Sequence, residues 1–160
     1  MKILIVYDSR TGNTEKMAHA VAEGARGEGA EVEVRRVDEA SVDMLPGFDG
    51  LIIGSPVYYG QPSSKIKRFL DESVKYHGKL EGKVGGAFAS SGGTHSGGET
   101  TIISILEALL IHGMVVQGTS GRNHYGPVSV GAPGEEDVKA CRLLGARVAR
   151  LVKLLHKPEH

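Results

Sequence analysis

Four nearly pure apolar stretches each run into a loop of hydroxyls, glycines or tyrosines, and this alternation constrains the chain more than any other feature. Residues 2–7 (KILIVY), with Ile3, Leu4, Ile5 and Val6 continuous, and residues 51–55 (LIIGS) read as strands buried on both faces. Residues 83–91 (KVGGAFASS) read as a glycine-rich strand, where Gly85 and Gly86 allow close packing. Residues 114–118 (MVVQG) read as a fifth strand, followed by a polar, aromatic loop to Gly126 and a short resumption, PVSV. A further stretch, residues 31–37 (EVEVRRV), alternates and carries charges outward, which suits an edge strand.

Between these strands the apolar spacing turns helical. Met17, Ala18, Val21, Ala22 and Ala25 share one face, ended by Gly27 and Gly29. A second helix is expected from about Ser64 to Tyr76. A third carries Ile102, Ile105, Leu106 and Leu109 and closes at Gly113, and a fourth runs from near Gly134 to about His156. Five strands alternating with helices predict a doubly wound α/β fold, a three-layer sandwich with a parallel sheet at its centre. A single domain over residues 1–160 is expected at this length.

Charge and cysteine content narrow the setting. The 19 basic and 19 acidic residues cancel, which argues against a nucleic-acid partner. No apolar run approaches the roughly 20 residues a membrane helix needs, and the start MKILIVYDSR is too short in its apolar part for a signal peptide. One cysteine, Cys141, permits no intramolecular disulfide, so a reducing cytoplasm is the expected location. The seven histidines lack a metal-like spacing, and no metal site is expected.

In an open α/β sheet, ligands bind beyond the carboxyl ends of the strands. The loops there read SRTGNT (9–14), SPVYYGQP (55–62), SSGGTHSGGE (90–99) and GTSGRNHYGP (118–127). In the first, free N–H groups at a helix start form an anion site, to which Ser9, Thr11 and Thr14 add hydroxyls and Asn13 an amide, while Gly12 lets the backbone close. No GxxxxGK or GxGxxG pattern follows the first strand, which disfavours a nucleoside triphosphate or a dinucleotide in the usual pose. A terminal phosphate monoester fits best. Capping alone is the simpler reading, but one hydroxyl would suffice for it.

These loops resemble those of flavodoxin-like FMN proteins: SRTGNTEKMA their phosphate loop, and GSPVYYGQPSSKIKRFLD the loop beside the isoalloxazine ring. SSGGTHSGGETT, LLIHGMVVQG and HYGPVSVG are similar to later segments of one branch, the WrbA-type NAD(P)H:quinone oxidoreductases. The chain is shorter than that branch between its second and third strands. The resemblance implies a sheet in the order 2-1-3-4-5. It implies that Ser9, Arg10, Thr11, Gly12, Asn13 and Thr14 hold the FMN phosphate. Pro56, Val57, Tyr58, Tyr59 and Gly60 would line the pyrimidine and ring edge, and Ser90, Ser91, Gly92, Gly93 and Thr94 the ribityl chain and ring. His112 and Tyr125 fall where that branch places an active-site histidine and an aromatic near the flavin. For His112, capping its own helix is an equal alternative. Cys141 lies on the inner stripe of the last helix and reads as a small hydrophobe, whereas Lys139, Arg142, Arg147, Arg150 and Lys153 read as a solvated face.

What the resemblance implies for function is a two-electron oxidoreductase. NAD(P)H and a quinone would use one site in turn, in a homo-oligomer (dimer or tetramer) whose sites are lined by more than one subunit. The alternative is a flavodoxin carrying single electrons between redox protein partners, which the balanced charge disfavours. A third possibility is weak FMN binding with reduction of free flavin or nitro compounds.

Overall fold

The computed structural model describes residues 1–156. In chain order the elements are β1 (Lys2–Tyr7), α1 (Asn13–Gly27), β2 (Glu31–Arg36), two 3-10 turns (Val37–Glu39 and Val42–Gly47), β3 (Gly50–Tyr58) and β4 (Gln61–Pro62). Then come α2 (Ser64–Glu72) with a 3-10 extension (Ser73–Tyr76), β5 (Val84–Ser91), α3 (Gly98–Ile111), β6 (Val115–Val116), β7 (Val128–Val130) and α4 (Glu135–Leu155). The parallel sheet runs β2-β1-β3-β5-β6, the expected order once β5 is counted as fourth strand. β6 pairs with the start of β5 (Val84 with Val115) and β7 with its end (Ser91 with Val130), so the two are halves of one fifth strand. Residues 117–127 loop out between them. The short β4, which sequence reasoning missed, folds back antiparallel on β3 through Tyr58–Gln61.

Alternation along β1 shows why helices cover both faces. Ile3 and Ile5 enter one core with Met17, Val21, Leu144 and Val148 of α1 and α4. Leu4 and Val6 enter the other with Ile66, Leu70, Ile102 and Ile105 of α2 and α3. A continuous apolar strand therefore fills two cores by the period of two inherent in its pleat. Cys141 is fully buried in the first core, and burial pushes its thiol up to about 12, so it acts as a small apolar filler. Among the described residues no helix is long and apolar enough to cross a membrane.

Candidate functional site

Parallel strands deliver every following loop to the same edge, and three of the four polar loops meet there directly. Gly97 and Gly60 touch backbone to backbone: a Cβ on Gly97 would lie 2.3 Å from the Gly60 Cα. Thr100 Oγ1 donates to the Gly60 carbonyl at 2.8 Å, pinning the β3–β4 turn to the start of α3. Thr14 Oγ1 and Ser90 Oγ, both buried, lie 2.7 Å apart and join the loop after β1 to the end of β5.

In the first loop Ser9 turns inward. Its Oγ accepts from the N–H of Gly12 (3.1 Å) and Glu15 (3.3 Å), so this hydroxyl performs the capping. The N–H groups of Thr11, Asn13 and Thr14 have no hydrogen-bond partner among the described residues. Around them stand the exposed side chains of Arg10 and Thr11 and the half-buried Asn13. These N–H groups at the start of a 15-residue helix, with an exposed guanidinium and a hydroxyl beside them, suit a compact dianion such as a phosphate monoester.

A residue that sequence reasoning passed over braces this loop. Arg36, last in β2, donates through Nη1 to the Ser9 carbonyl (2.6 Å) and through Nη2 to Glu15 Oε2 (2.7 Å). Its guanidinium lies 5.4 Å from the Tyr7 ring centroid, and the Tyr7 hydroxyl donates to Glu15 Oε2 at 2.7 Å. Burial and the Glu15 hydrogen bond push the Tyr7 hydroxyl up to about 12, whereas the hydrogen bond from Tyr7, followed by Arg36, holds the Glu15 carboxyl below its ordinary value. The only signal in the sequence is the paired arginine ending an edge strand, which is indistinguishable there from solvated charge.

The β3–β4 turn presents Tyr58 and a fully exposed Tyr59, with Pro56, Val57 and Gly60 half-buried beside them. Loop 91–97 closes on itself: Ser91 and Ser96 both donate to the Gly93 carbonyl, and the Gly93 N–H donates to Ser91 Oγ at 3.2 Å. Gly92 and Thr94 are exposed at its tip. The excursion is closed by the Thr119 N–H on the His124 carbonyl (3.1 Å) and a His124 Nδ1–Thr119 carbonyl contact (2.9 Å), with Tyr125 half-exposed beside it. A cavity of about 430 Å³ lies between loop 91–97 and the excursion, lined by His95, Glu99, His124 and Tyr125. Among the described residues the non-glycines with positive φ are Tyr59 (48°), His95 (57°) and Asn123 (63°), one in each of these loops. Backbone strain thus concentrates where the loops converge.

His112 is not brought to this edge. It follows α3, which returns across the sheet, and it stands three residues before β6, whose partner is the first residue of β5. A crossover helix must end at the edge opposite the one where it began. His112 instead lies in a groove of about 650 Å³ between α2 and α3. Its Nε2 is 2.7 Å from Ser73 Oγ, which donates its single proton to the Leu70 carbonyl at 2.6 Å. The imidazole is therefore assigned as the Nε2–H tautomer, and Nδ1 is buried without a partner. Burial, and then His77, whose ring is 6.1 Å away, lower its pKa from 6.5. The sign follows: the unfolded chain takes up this proton first, so stability is complete above pH 6.5 and falls as pH drops below that and through the lowered folded value. Urea midpoints on either side of pH 6.5 should differ in wild type and differ less in His112→Gln. An equal pH response in both would show that another group carries it.

Residues 4–109 match the flavodoxin domain family. The chain is 46% identical to a flavodoxin of Aquifex aeolicus, with 96% of this chain and 88% of that one covered. It is 36% identical to a protein of Archaeoglobus fulgidus named NAD(P)H dehydrogenase (quinone), covering 96% and 98% of the two chains. Its fold superposes with a TM-score of 0.83 on a flavodoxin, WrbA-like protein from Agrobacterium tumefaciens, at 30% identity over 96% and 98% of the chains. With the parallel sheet, the helices on both faces and the convergent loops already described, these matches place the chain in the flavodoxin family.

Proposed function

We propose that this chain is a single-domain FMN-dependent oxidoreductase that passes two electrons from NAD(P)H to a quinone. The observation that supports FMN is the set of N–H groups at Thr11, Asn13 and Thr14 that have no partner among the described residues, beside the exposed Arg10, which suits a phosphate; the two-electron reading is supported by the relatives named NAD(P)H dehydrogenase (quinone). Bound FMN supplies the hydride chemistry. The protein's part is to hold, orient and exclude.

Thr11 and Asn13 would add side-chain donors to the phosphate, while Ser9 and Thr14 keep the loop in shape through bonds already made within the protein. Residues 56–60 would flank the ring edge, with Tyr58 or Tyr59 stacked on its flat face. Ser90, Ser91, Gly92, Gly93 and Thr94 would follow the ribityl chain. The 430 Å³ cavity beside Tyr125 adjoins the residues assigned to the ribityl chain, and nucleotide and quinone would use it in turn. His112 has no part in this site within one chain. Only in a dimer or tetramer could a neighbouring subunit present it, across a subunit boundary. The cytoplasm, reducing and supplied with pyridine nucleotides, is the setting this reading implies.

A second reading, a single-electron carrier serving protein partners, is favoured by the 46% identity to a protein named flavodoxin. Anaerobic mixing of the FMN-loaded protein with NADH or NADPH decides between them. The enzyme reading expects rapid bleaching of the visible flavin absorbance, restored by benzoquinone. Absence of bleaching, with chemical reduction proceeding in two separate one-electron stages, would overturn it in favour of the carrier.

A further inference from the structure

The outward face of α4 is not uniformly solvated charge. Arg142 pairs with Glu23 at 2.8 Å, Arg150 with Glu28 at 2.7 Å and Lys153 with Glu28 at 3.6 Å. Lys139 and Arg147 on the same helix, and Arg122 on the excursion facing it, have no carboxylate partner among the described residues. All three line one pocket of about 310 Å³ between the excursion and α4.

Arg147 is the central group. It is half-buried, and its one bond among the described residues runs from Nε to the Gln117 carbonyl at 3.3 Å, leaving both Nη groups without a partner there. A desolvated guanidinium without a counter-ion costs stability, and burial pulls its pKa down accordingly. Two carboxylates share the pocket, Glu136 and Asp137, but they serve the first turn of α4. Asp137 accepts from the Gly134 N–H at 3.0 Å, and neither is within ion-pair distance of the three cations.

The pocket also has a position. It shares Asn123 and Val128 with the cavity beside Tyr125, so the excursion forms a wall of both. The two pockets are therefore neighbours, placed for the two ends of one ligand that has a flat ring at one end and a phosphate at the other. NADPH differs from NADH by one 2′-phosphate on the adenosine ribose, a group that arginine commonly accommodates. A concave pocket suits such a compact dianion better than it suits the broad face of an acidic protein.

We propose that Arg122, Lys139 and Arg147 bind the 2′-phosphate of NADPH while its nicotinamide occupies the cavity at Tyr125, making the protein selective for NADPH. The assignment rests on the oxidoreductase reading. Two measurements on the FMN-loaded protein test it. By calorimetry, adenosine 2′,5′-bisphosphate should bind at least roughly tenfold more tightly than AMP, the size of one charge-assisted bond. Arg147→Gln should remove the difference, as should the surface double variant Arg122→Gln/Lys139→Gln, whose exposed positions leave the fold undisturbed. In anaerobic flavin reduction, the wild-type preference for NADPH over NADH in kcat/KM should fall by a similar factor in both variants.

Equal binding of the two nucleotides, or an NADPH preference that survives both variants, overturns the assignment. So does binding of the bisphosphate no tighter than that of inorganic phosphate. If neither nucleotide reduces the flavin, the oxidoreductase reading fails instead, and calorimetry still reports on the pocket by itself.

Discussion

Gly145→Ala is expected to cost about 3 kcal/mol of stability or more, the upper range for forcing an atom into a packed interior. α4 crosses α1 at backbone contact. A Cβ on Gly145 would stand 1.9 Å from the Val21 carbonyl oxygen and 2.8 Å from the Ala25 nitrogen. Reciprocally, a Cβ on Gly24 would stand 1.9 Å from the Arg142 carbonyl oxygen. Backbone atoms cannot rotate aside, so the helices would have to separate, and Met17, Val21, Leu144 and Val148 beneath them would lose contact together. Gly27→Ala is the control, because nothing lies within 4 Å of its new methyl and its φ is not positive. It should leave stability unchanged or raise it slightly through helix propensity. Urea unfolding of both variants checks this. A Gly145→Ala midpoint within experimental error of wild type would mean that the helices are not held at this distance.

What the sequence disclosed, and what it concealed, divides by the range of the interaction. The strands were legible because ILIV and LII must be buried on both faces, and the loops because hydroxyls and glycines follow directly. The fifth strand's interruption was legible as MVVQG and PVSV, since each half keeps its apolar character. Contacts between distant residues were not. Thr14 meets Ser90 across 76 positions, and Arg36 reaches back 27 positions to Ser9. Neither leaves a local pattern. Which of the α4 cations are neutralised depends on Glu23 and Glu28 of α1 and its cap, over 119 positions for Arg142 and 122 for Arg150. His112 is different in kind: its place follows from topology, because a helix leaving the carboxyl edge after β5 must return to the opposite edge before β6. Resemblance of motifs marked it as a site residue, and the crossover sets it at the end of the sheet opposite the convergent loops. The β3–β4 hairpin was hidden for another reason. Gln61–Pro62 is two residues long, too short for any periodic signal.

Arg36→Ala is expected to weaken FMN binding by roughly tenfold to a hundredfold while leaving riboflavin binding nearly unchanged, given the strength of hydrogen bonds from a charged group. The reason is positional, since both bonds of Arg36 go to the loop that would hold the phosphate. Its fork fixes the Ser9 carbonyl and Glu15 at once, and Ser9 in turn fixes the Gly12 and Glu15 N–H groups. The Thr11, Asn13 and Thr14 N–H groups, without partners among the described residues, thereby sit in a loop already held in shape before any ligand arrives, which lowers the ordering cost of binding. Riboflavin lacks the phosphate and so gains little from that arrangement. Arg36→Lys keeps the charge but cannot span both acceptors, and should recover only part of the loss. Equal weakening of FMN and riboflavin would mean that Arg36 merely supports the fold. Full FMN affinity in Arg36→Ala would mean that the loop holds its shape through Ser9 and the Thr14–Ser90 bond alone.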